Sequence, residues 1–155
     1  MGAGREIERK FLVPAMPDHL GEGIPIEQGY LPLAGDESEL RVRRKGEQTV
    51  LTVKRGRGLE RFEHEAEIPA DAFDALWPLT EGRRIEKTRY ELPYEGAKIE
   101  LDEYAGDLAG LLVAEVELPA REAAASFEPP DWFGEEVTED GRYGNRSLAE
   151  HGRPA

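Results

Sequence analysis

The chain has 155 residues, of which 39% are hydrophobic and 34% charged, and this composition predicts one globular domain over residues 1–155. Its net charge of −13 argues against a nucleic-acid partner, because phosphate backbones require a basic footprint. It contains no cysteine, which excludes disulfides and thiolate metal sites. The sequence has no long apolar run and no apolar signal region at its start, so we expect a cytoplasmic protein without a membrane partner.

Frequent glycine and proline divide the chain into short segments, which favours a β-rich fold. The alternating patterns predict eight strands, over residues 4–13, 25–32, 38–46, 48–56, 61–68, 84–92, 96–104 and 111–118. Short helices are predicted over residues 69–77, 121–127 and 145–151. Because eight strands suffice to close a barrel, the predicted fold class is α+β, mainly β: an eight-stranded antiparallel β-barrel with a few short peripheral helices.

Most predicted strands carry like charges on one face and apolar residues on the other. In the first strand, Glu6, Glu8 and Lys10 share a face. The same alternation groups further charged residues along the later strands, namely Arg41, Arg43, Lys54, Glu63, Glu65, Lys87, Arg89, Asp102, Glu115 and Glu117. In a single strand, such a charged face is usually the one that an antiparallel sheet exposes to solvent. Repeated doublets of like charge repel each other, so their recurrence in several strands indicates a ligand that offsets the repulsion.

The charged faces have the chemistry of a site for a polyanion and divalent cations. If they line the inside of a barrel, carboxylates and cations are present there in roughly equal numbers. A triphosphate with bound divalent cations is a suitable ligand for such a site. Arginine and lysine would bind its oxygens, while carboxylates would hold Mg²⁺ or Mn²⁺. The three histidines, His19, His64 and His151, are not spaced as a ligand set. Phosphoryl transfer requires little beyond such positioning and charge neutralisation.

The opening segment, Glu6-Ile7-Glu8-Arg9-Lys10, resembles the ExExK signature of the CYTH superfamily, the triphosphate tunnel metalloenzymes. Further matching segments follow in the family's order, at residues 28–31, 40–43, 51–54, 63–65, 86–90, 100–102, 115–117 and 137–149. The resemblance covers nearly the whole chain. It is closest to the short bacterial inorganic triphosphatases.

The resemblance implies hydrolysis of inorganic triphosphate inside an eight-stranded tunnel, with Mg²⁺ or Mn²⁺ as cofactor and carboxylates enough for two ions. It implies metal ligands at Glu6, Glu8, Asp102, Glu115 and Glu117. It implies substrate-binding residues at Lys10, Arg41, Arg43, Lys54, Lys87 and Arg89. Lys10 and Tyr30 match a catalytic lysine–tyrosine dyad, and Glu63 and Glu65 complete the catalytic set.

Several alternatives stay open at this point. The same superfamily includes adenylyl cyclases and nucleoside or thiamine triphosphatases, although no aromatic pocket motif is visible here. A non-catalytic polyphosphate-binding module is a third reading, against which the intact carboxylate set argues. The segment after Tyr143 is short, so the sequence leaves open whether it closes the tunnel. An apolar outer face is compatible with a homodimer, and Arg9 is expected to be solvated.

Overall fold

The computed structural model describes residues 7–32, 38–55, 62–118 and 121–154. Within these ranges the chain forms eight strands: β1 (Ile7–Leu12), β2 (Ile24–Tyr30), β3 (Ser38–Lys45), β4 (Gln48–Arg55), β5 (Phe62–Glu67), β6 (Arg84–Tyr94), β7 (Ala97–Tyr104) and β8 (Leu112–Leu118). It also forms the α-helices α1 (Ala70–Leu76), α2 (Arg121–Ser126) and α3 (Asn145–His151). Every predicted strand and helix is therefore present. No helix in these ranges has the length and hydropathy needed to cross a membrane.

The eight strands form one antiparallel sheet in the order β1-β8-β7-β6-β2-β3-β4-β5, which confirms the predicted fold class. The sheet does not close as a full barrel, because its outer strands β1 and β5 do not pair within the described residues. The free edge of β1 bonds instead to the C-terminal segment: Leu12 N to Glu135 O at 2.8 Å, Gly134 N to Leu12 O at 2.7 Å, and Val137 N to Lys10 O at 2.8 Å. The C-terminal segment therefore occupies backbone hydrogen-bonding groups of β1 with which β5 would have to pair to close the barrel.

The strand register places the predicted charged residues side by side on one face of the sheet. Lys10 lies opposite Glu115, and Glu115 lies opposite Glu100. Arg41 lies opposite Tyr30. Because directly opposed residues of antiparallel strands point to the same side, one face, here called the charged face, carries Glu8, Lys10, Tyr30, Arg41, Arg43, Lys54, Glu63, Glu65, Lys87, Arg89, Asp102, Glu115 and Glu117.

Two apolar clusters cover the opposite face. Leu101 and Val116, from β7 and β8, are fully buried in the first cluster, beneath the aromatic residues that follow α2. Val42 of β3 and Phe73 of α1 form the second. Each of these strand residues alternates with a charged neighbour, so the period of two sends one set to the core and the other to the charged face.

A third apolar cluster lies at one end of the charged face itself. It contains Tyr30, Ile85, Tyr104 and Val113, and Leu148 of α3 packs among them with 2% of its surface exposed. The helix α3 therefore covers this end of the charged face. This answers the question that the sequence left open about the C-terminal segment.

Candidate functional site

Three guanidinium groups, those of Arg41, Arg43 and Arg89, lie close together on the charged face. Arg43 is half-buried, and no carboxylate in the described chain lies within ion-pair distance of it. Burial lowers the pKa of Arg43, and repulsion from Arg41 and Arg89 lowers it further. The Nε atom of Arg41 is buried without a hydrogen-bond partner. The cluster therefore has positive charge and donor groups that an anion would satisfy.

Asp102 lies buried between two cations rather than beside the other candidate metal ligands. Arg89 donates to both of its oxygens, at 2.8 and 3.0 Å, and the Nζ of Lys87 lies 2.8 Å from Oδ2. Burial alone would raise the pKa of Asp102, but the charges of Lys87 and Arg89 outweigh it, so the pKa is lowered. The pKa of Lys87 is lowered by its own burial, which Asp102 offsets in part. Asp102 thus fixes the positions of two neighbouring cations.

Glu8, Glu115 and Glu117 gather at the junction of β1 and β8. Glu8 lies opposite Glu117, and Lys10 lies opposite Glu115 with its Nζ 3.7 Å from a carboxylate oxygen. Desolvation by the surrounding protein, followed by repulsion from Glu115 and Glu117, raises the pKa of Glu8 to about 7. Glu8 as a whole residue is exposed, while Glu115 and Glu117 beside it are partly buried. Negative charge therefore exceeds positive charge at this junction.

The donor chemistry of this junction fits a hard divalent cation. Its oxygens are the ligands that Mg²⁺ and Mn²⁺ prefer, and an ion would relieve the repulsion that raises the pKa of Glu8. In the described part of the chain, no three carboxylate or imidazole side chains converge closely enough to form a complete site as they stand. Glu6, the remaining predicted ligand of this group, lies outside the described residues.

The acidic residues of β5 stand at the open side of the sheet. Glu63 lies 3.9 Å from the Nζ of Lys54, and its side chain is 56% exposed. Glu65 lies 3.9 Å from Arg41 and accepts a 3.4 Å hydrogen bond from Thr52 Oγ1. Their ion pairs are long and solvated, so their carboxylates can reorganise around a ligand.

Lys10 and Tyr30, predicted as a dyad, engage different partners. The Lys10 Nζ donates to the backbone oxygen of Tyr143 at 3.2 Å, beside its ion pair with Glu115. Tyr30 is buried, and its hydroxyl accepts a 2.8 Å hydrogen bond from Gln28. Burial raises the pKa of Tyr30, so this hydroxyl is protonated at neutral pH. A joint catalytic role for the two residues stays a prediction.

Gln28 and Arg9 contribute to the site in ways that sequence reasoning missed. Gln28 is 1% exposed and lies opposite Arg43, and its Oε1 atom has no hydrogen-bond partner. Its place between Ile26 and Tyr30 in the strand alternation could have assigned it to the charged face.

The sequence predicts that Arg9 is solvated, and this prediction is wrong. Its side chain binds Glu136 and two backbone oxygens on the face of β1 opposite to the charged face. Its guanidinium donates to both carboxylate oxygens of Glu136, at 2.9 and 2.8 Å, and to the backbone oxygens of Ala124 and Phe127. The same group lies 5.1 Å from the centre of the Phe11 ring. These contacts hold the strand that presents Glu8 and Lys10.

The sheet gathers cations and carboxylates on one face and has its apolar core on the other, which is the architecture of a tunnel fold whose charged side has the chemistry to hold a polyanion and divalent cations. Comparison with known proteins agrees with this class. The CYTH domain family matches residues 4–150. The chain is 51% identical over 146 residues to an inorganic triphosphatase of Nitrosomonas europaea, covering 93% of this chain and 96% of the relative.

Two further relatives agree. An inorganic triphosphatase of Acetivibrio thermocellus is 42% identical over 151 residues, covering 96% of this chain and 95% of the relative. A crystal structure of an inorganic triphosphatase aligns with a TM-score of 0.79 at 47% identity, covering 97% of each chain. The chain belongs to the CYTH family, which confirms the resemblance seen in its sequence.

Proposed function

We propose that the protein is a hydrolase that cleaves a phosphoanhydride bond of inorganic triphosphate with the help of a divalent cation. The observation that carries the proposal is the half-buried Arg43, which has two guanidinium neighbours and, in the described residues, no carboxylate within ion-pair distance, since Glu65 and Glu100 attract it only from farther away. Three neighbouring cations can bind an anion of several charges, and carboxylates suited to a divalent cation share their face of the sheet. The relatives named inorganic triphosphatases support this substrate.

The substrate would lie along the cations of the charged face. In the described residues, Arg41 Nε has no hydrogen-bond partner and Arg43 has no carboxylate within ion-pair distance, so we assign them the most direct contacts with phosphate oxygens. Lys87 and Arg89 are held by Asp102 and would present their remaining donors. Lys10 and Lys54 make longer ion pairs, of 3.7 and 3.9 Å, which a phosphate could displace.

Glu8, Glu115 and Glu117, with Glu6, are the residues that would hold the cation. When bound, a divalent ion neutralises phosphate oxygens and lowers the pKa of a water ligand. We propose that the cation is Mg²⁺ or Mn²⁺ and that the fully occupied site holds two ions. Asp102 has a different proposed role here from the metal ligand expected from the sequence, because both of its oxygens are already bound by cations.

The remaining predicted catalytic residues act on water and on the leaving group. The exposed carboxylates of Glu63 and Glu65 can orient the attacking water and accept its proton. Lys10 and the protonated hydroxyl of Tyr30 can donate hydrogen bonds to the charge that develops on the leaving diphosphate. Attack breaks one phosphoanhydride bond and gives phosphate and diphosphate.

The end of the charged face near α3 favours an inorganic substrate over a nucleotide or thiamine triphosphate. A base or a thiazole ring requires an open apolar pocket. The apolar end of this face is filled by Leu148 against Tyr30 and Tyr104. A cytoplasmic location, a homodimer and the absence of nucleic-acid or membrane partners stay predictions from the sequence.

Phosphate release from a panel of triphosphates with Mg²⁺ or Mn²⁺ tests the proposal. We expect inorganic triphosphate to be hydrolysed fastest, and Arg43→Ala to lower kcat/KM by roughly 10²–10³ because a positioned donor is lost. Arg44→Ala is the matched control, since Arg44 lies on the opposite face of β3 and pairs with Asp74. Cyclic AMP or ADP as the main product, without release from inorganic triphosphate, would refute the proposal.

A further inference from the structure

The C-terminal helix reaches the charged face through the polar side chain of its first residue. Asn145, the first residue of α3, accepts a 2.7 Å hydrogen bond from the hydroxyl of Tyr104 through its Oδ1 atom. Tyr104 is 4% exposed, so its hydroxyl has little access to water. A buried hydroxyl without a partner is unfavourable, and Asn145 therefore fixes the orientation of the Tyr104 ring.

The Tyr104 ring in turn supports a cation of the proposed substrate site. The Nζ of Lys87 lies 5.4 Å from the ring centre, within the range of a cation–π contact. The same ammonium is 2.8 Å from Asp102, which Arg89 also binds. Lys87 therefore has a carboxylate on one side and an aromatic face on the other. A displaced ring would remove one of these two constraints.

The other contacts of this segment lead to different parts of the fold. Tyr143 O accepts the hydrogen bond from the Lys10 ammonium, and Arg146 Nη1 donates to Ser38 O at 3.3 Å. Leu148 supplies the apolar anchor. Asn145 is thus the residue of this segment whose side chain is linked to the Lys87–Asp102 ion pair through one residue, Tyr104.

We propose that Asn145 is a positioning residue for the triphosphatase site, which holds the Lys87 ammonium in place through the ring of Tyr104. The proposal rests on the proposed function, because Lys87 matters here as a substrate-binding cation. It assigns to α3 a role in catalysis beyond covering one end of the charged face. Asn145 itself touches no substrate.

The test is a steady-state comparison of Asn145→Ala, Tyr104→Phe and the double variant with inorganic triphosphate and Mg²⁺ or Mn²⁺. Loss of one hydrogen bond that orients the ring is expected to lower kcat/KM about three- to tenfold. The double variant should lose no more than the worse single variant, because both changes remove the same bond. Asn145→Asp, which keeps an oxygen acceptor, should recover most of the activity.

Arg146→Ala is the matched control for a purely structural role of the helix. It removes an anchor of α3 to β3 without contacting the Lys87 pair. If Arg146→Ala lowers kcat/KM as much as Asn145→Ala at an equal loss of Tm, the effect is helix docking and the proposal is wrong. Tyr104→Phe keeps the ring packed, so it provides the same test if Asn145→Ala does not fold.

The two proposals fail in distinguishable ways. If the wild-type protein releases phosphate from inorganic triphosphate but Asn145→Ala and Tyr104→Phe match it, the positioning role alone is overturned. If the wild-type protein is inactive with every triphosphate and metal, the proposed function fails and the positioning role falls with it. Additive losses in the double variant would also overturn the shared path through Tyr104.

Discussion

At the scale of single residues, the same charged side chain can serve as a ligand or as a fixed counter-charge, and its partners decide which. The side chains of Asp102 and Glu115 point to the same face of the sheet from neighbouring strands. Asp102, however, is 1% exposed and bound by Arg89 and Lys87. Within the described ranges Glu115 makes a 3.7 Å ion pair with Lys10 and lies beside Glu8. The first arrangement favours a positioning role, and the second leaves oxygens for a metal.

Replacing Asp102 separates these roles. Asp102→Ala removes the close carboxylate of the buried Lys87 and leaves Arg89 with only its longer, 3.5 Å pair to Glu100. This loss in a desolvated site is expected to cost about 3–5 kcal/mol of unfolding free energy. Urea unfolding of the metal-free protein measures this loss, and Asp107→Ala, at an exposed position, is the control. A ligand role for Asp102 would instead give near-wild-type stability without metal and a large loss of Mn²⁺ affinity in calorimetry.

At the scale of elements, the strands and helices follow from local sequence. The gap between the outer strands β1 and β5, which leaves the sheet open, does not. The alternation of Arg41 and Arg43 with Val42 predicts β3 and its two faces directly. The edge of β1 depends on residues 134–137, which lie more than a hundred positions along the chain, in a segment for which no strand or helix is predicted. The clamp from Arg9 to Glu136 spans the same separation, so local pattern assigned Arg9 to solvent.

The site shows the same division between local and distant information. Strand parity and the family resemblance place the cations and carboxylates on one face before any coordinates are known. Neither source places Asn145 against Tyr104 or Gln28 against Arg43, because those contacts depend on the packing of α3 and on strand register. Period-two alternation assigns a face, and register decides which neighbour each side chain meets.

The clamp on β1 predicts how stability depends on pH. The hydrogen bond from Arg9 lowers the pKa of Glu136, so the stabilisation is present above the ordinary carboxyl pKa and is lost as pH falls through the folded value. Because Glu136 is 39% exposed, we expect Glu136→Gln to lose only about 0.5–1 kcal/mol at neutral pH. Urea unfolding should show this difference at neutral pH and a smaller one at an acidic pH below the ordinary carboxyl pKa. An equal difference at both pH values would contradict the ionic origin.

At the scale of the whole molecule, the net charge of −13 is distributed unevenly with respect to the site. Four of the cations of the charged face, Arg41, Arg43, Lys87 and Arg89, lie on β3 and β6, which flank β2 in the sheet. Glu8, Glu63 and Glu65 lie on the two outer strands, β1 and β5. The apolar core lies on the other side of the sheet. The fold therefore holds like charges together by covalent and core constraints, and ligands can relieve the repulsion that remains.

Metal binding should consequently stabilise the whole molecule and not only activate it. A cation that binds the folded protein at a hundred times its dissociation constant adds about 2.7 kcal/mol to the unfolding free energy. We expect Mg²⁺ or Mn²⁺ to raise the Tm of the wild-type protein in the absence of substrate, and Glu115→Gln to remove most of that rise. Glu103→Gln is the matched control, because Glu103 is an exposed carboxylate on the opposite face of β7. A metal-dependent rise that is equal in wild type and Glu115→Gln would move the ion away from the junction of β1 and β8.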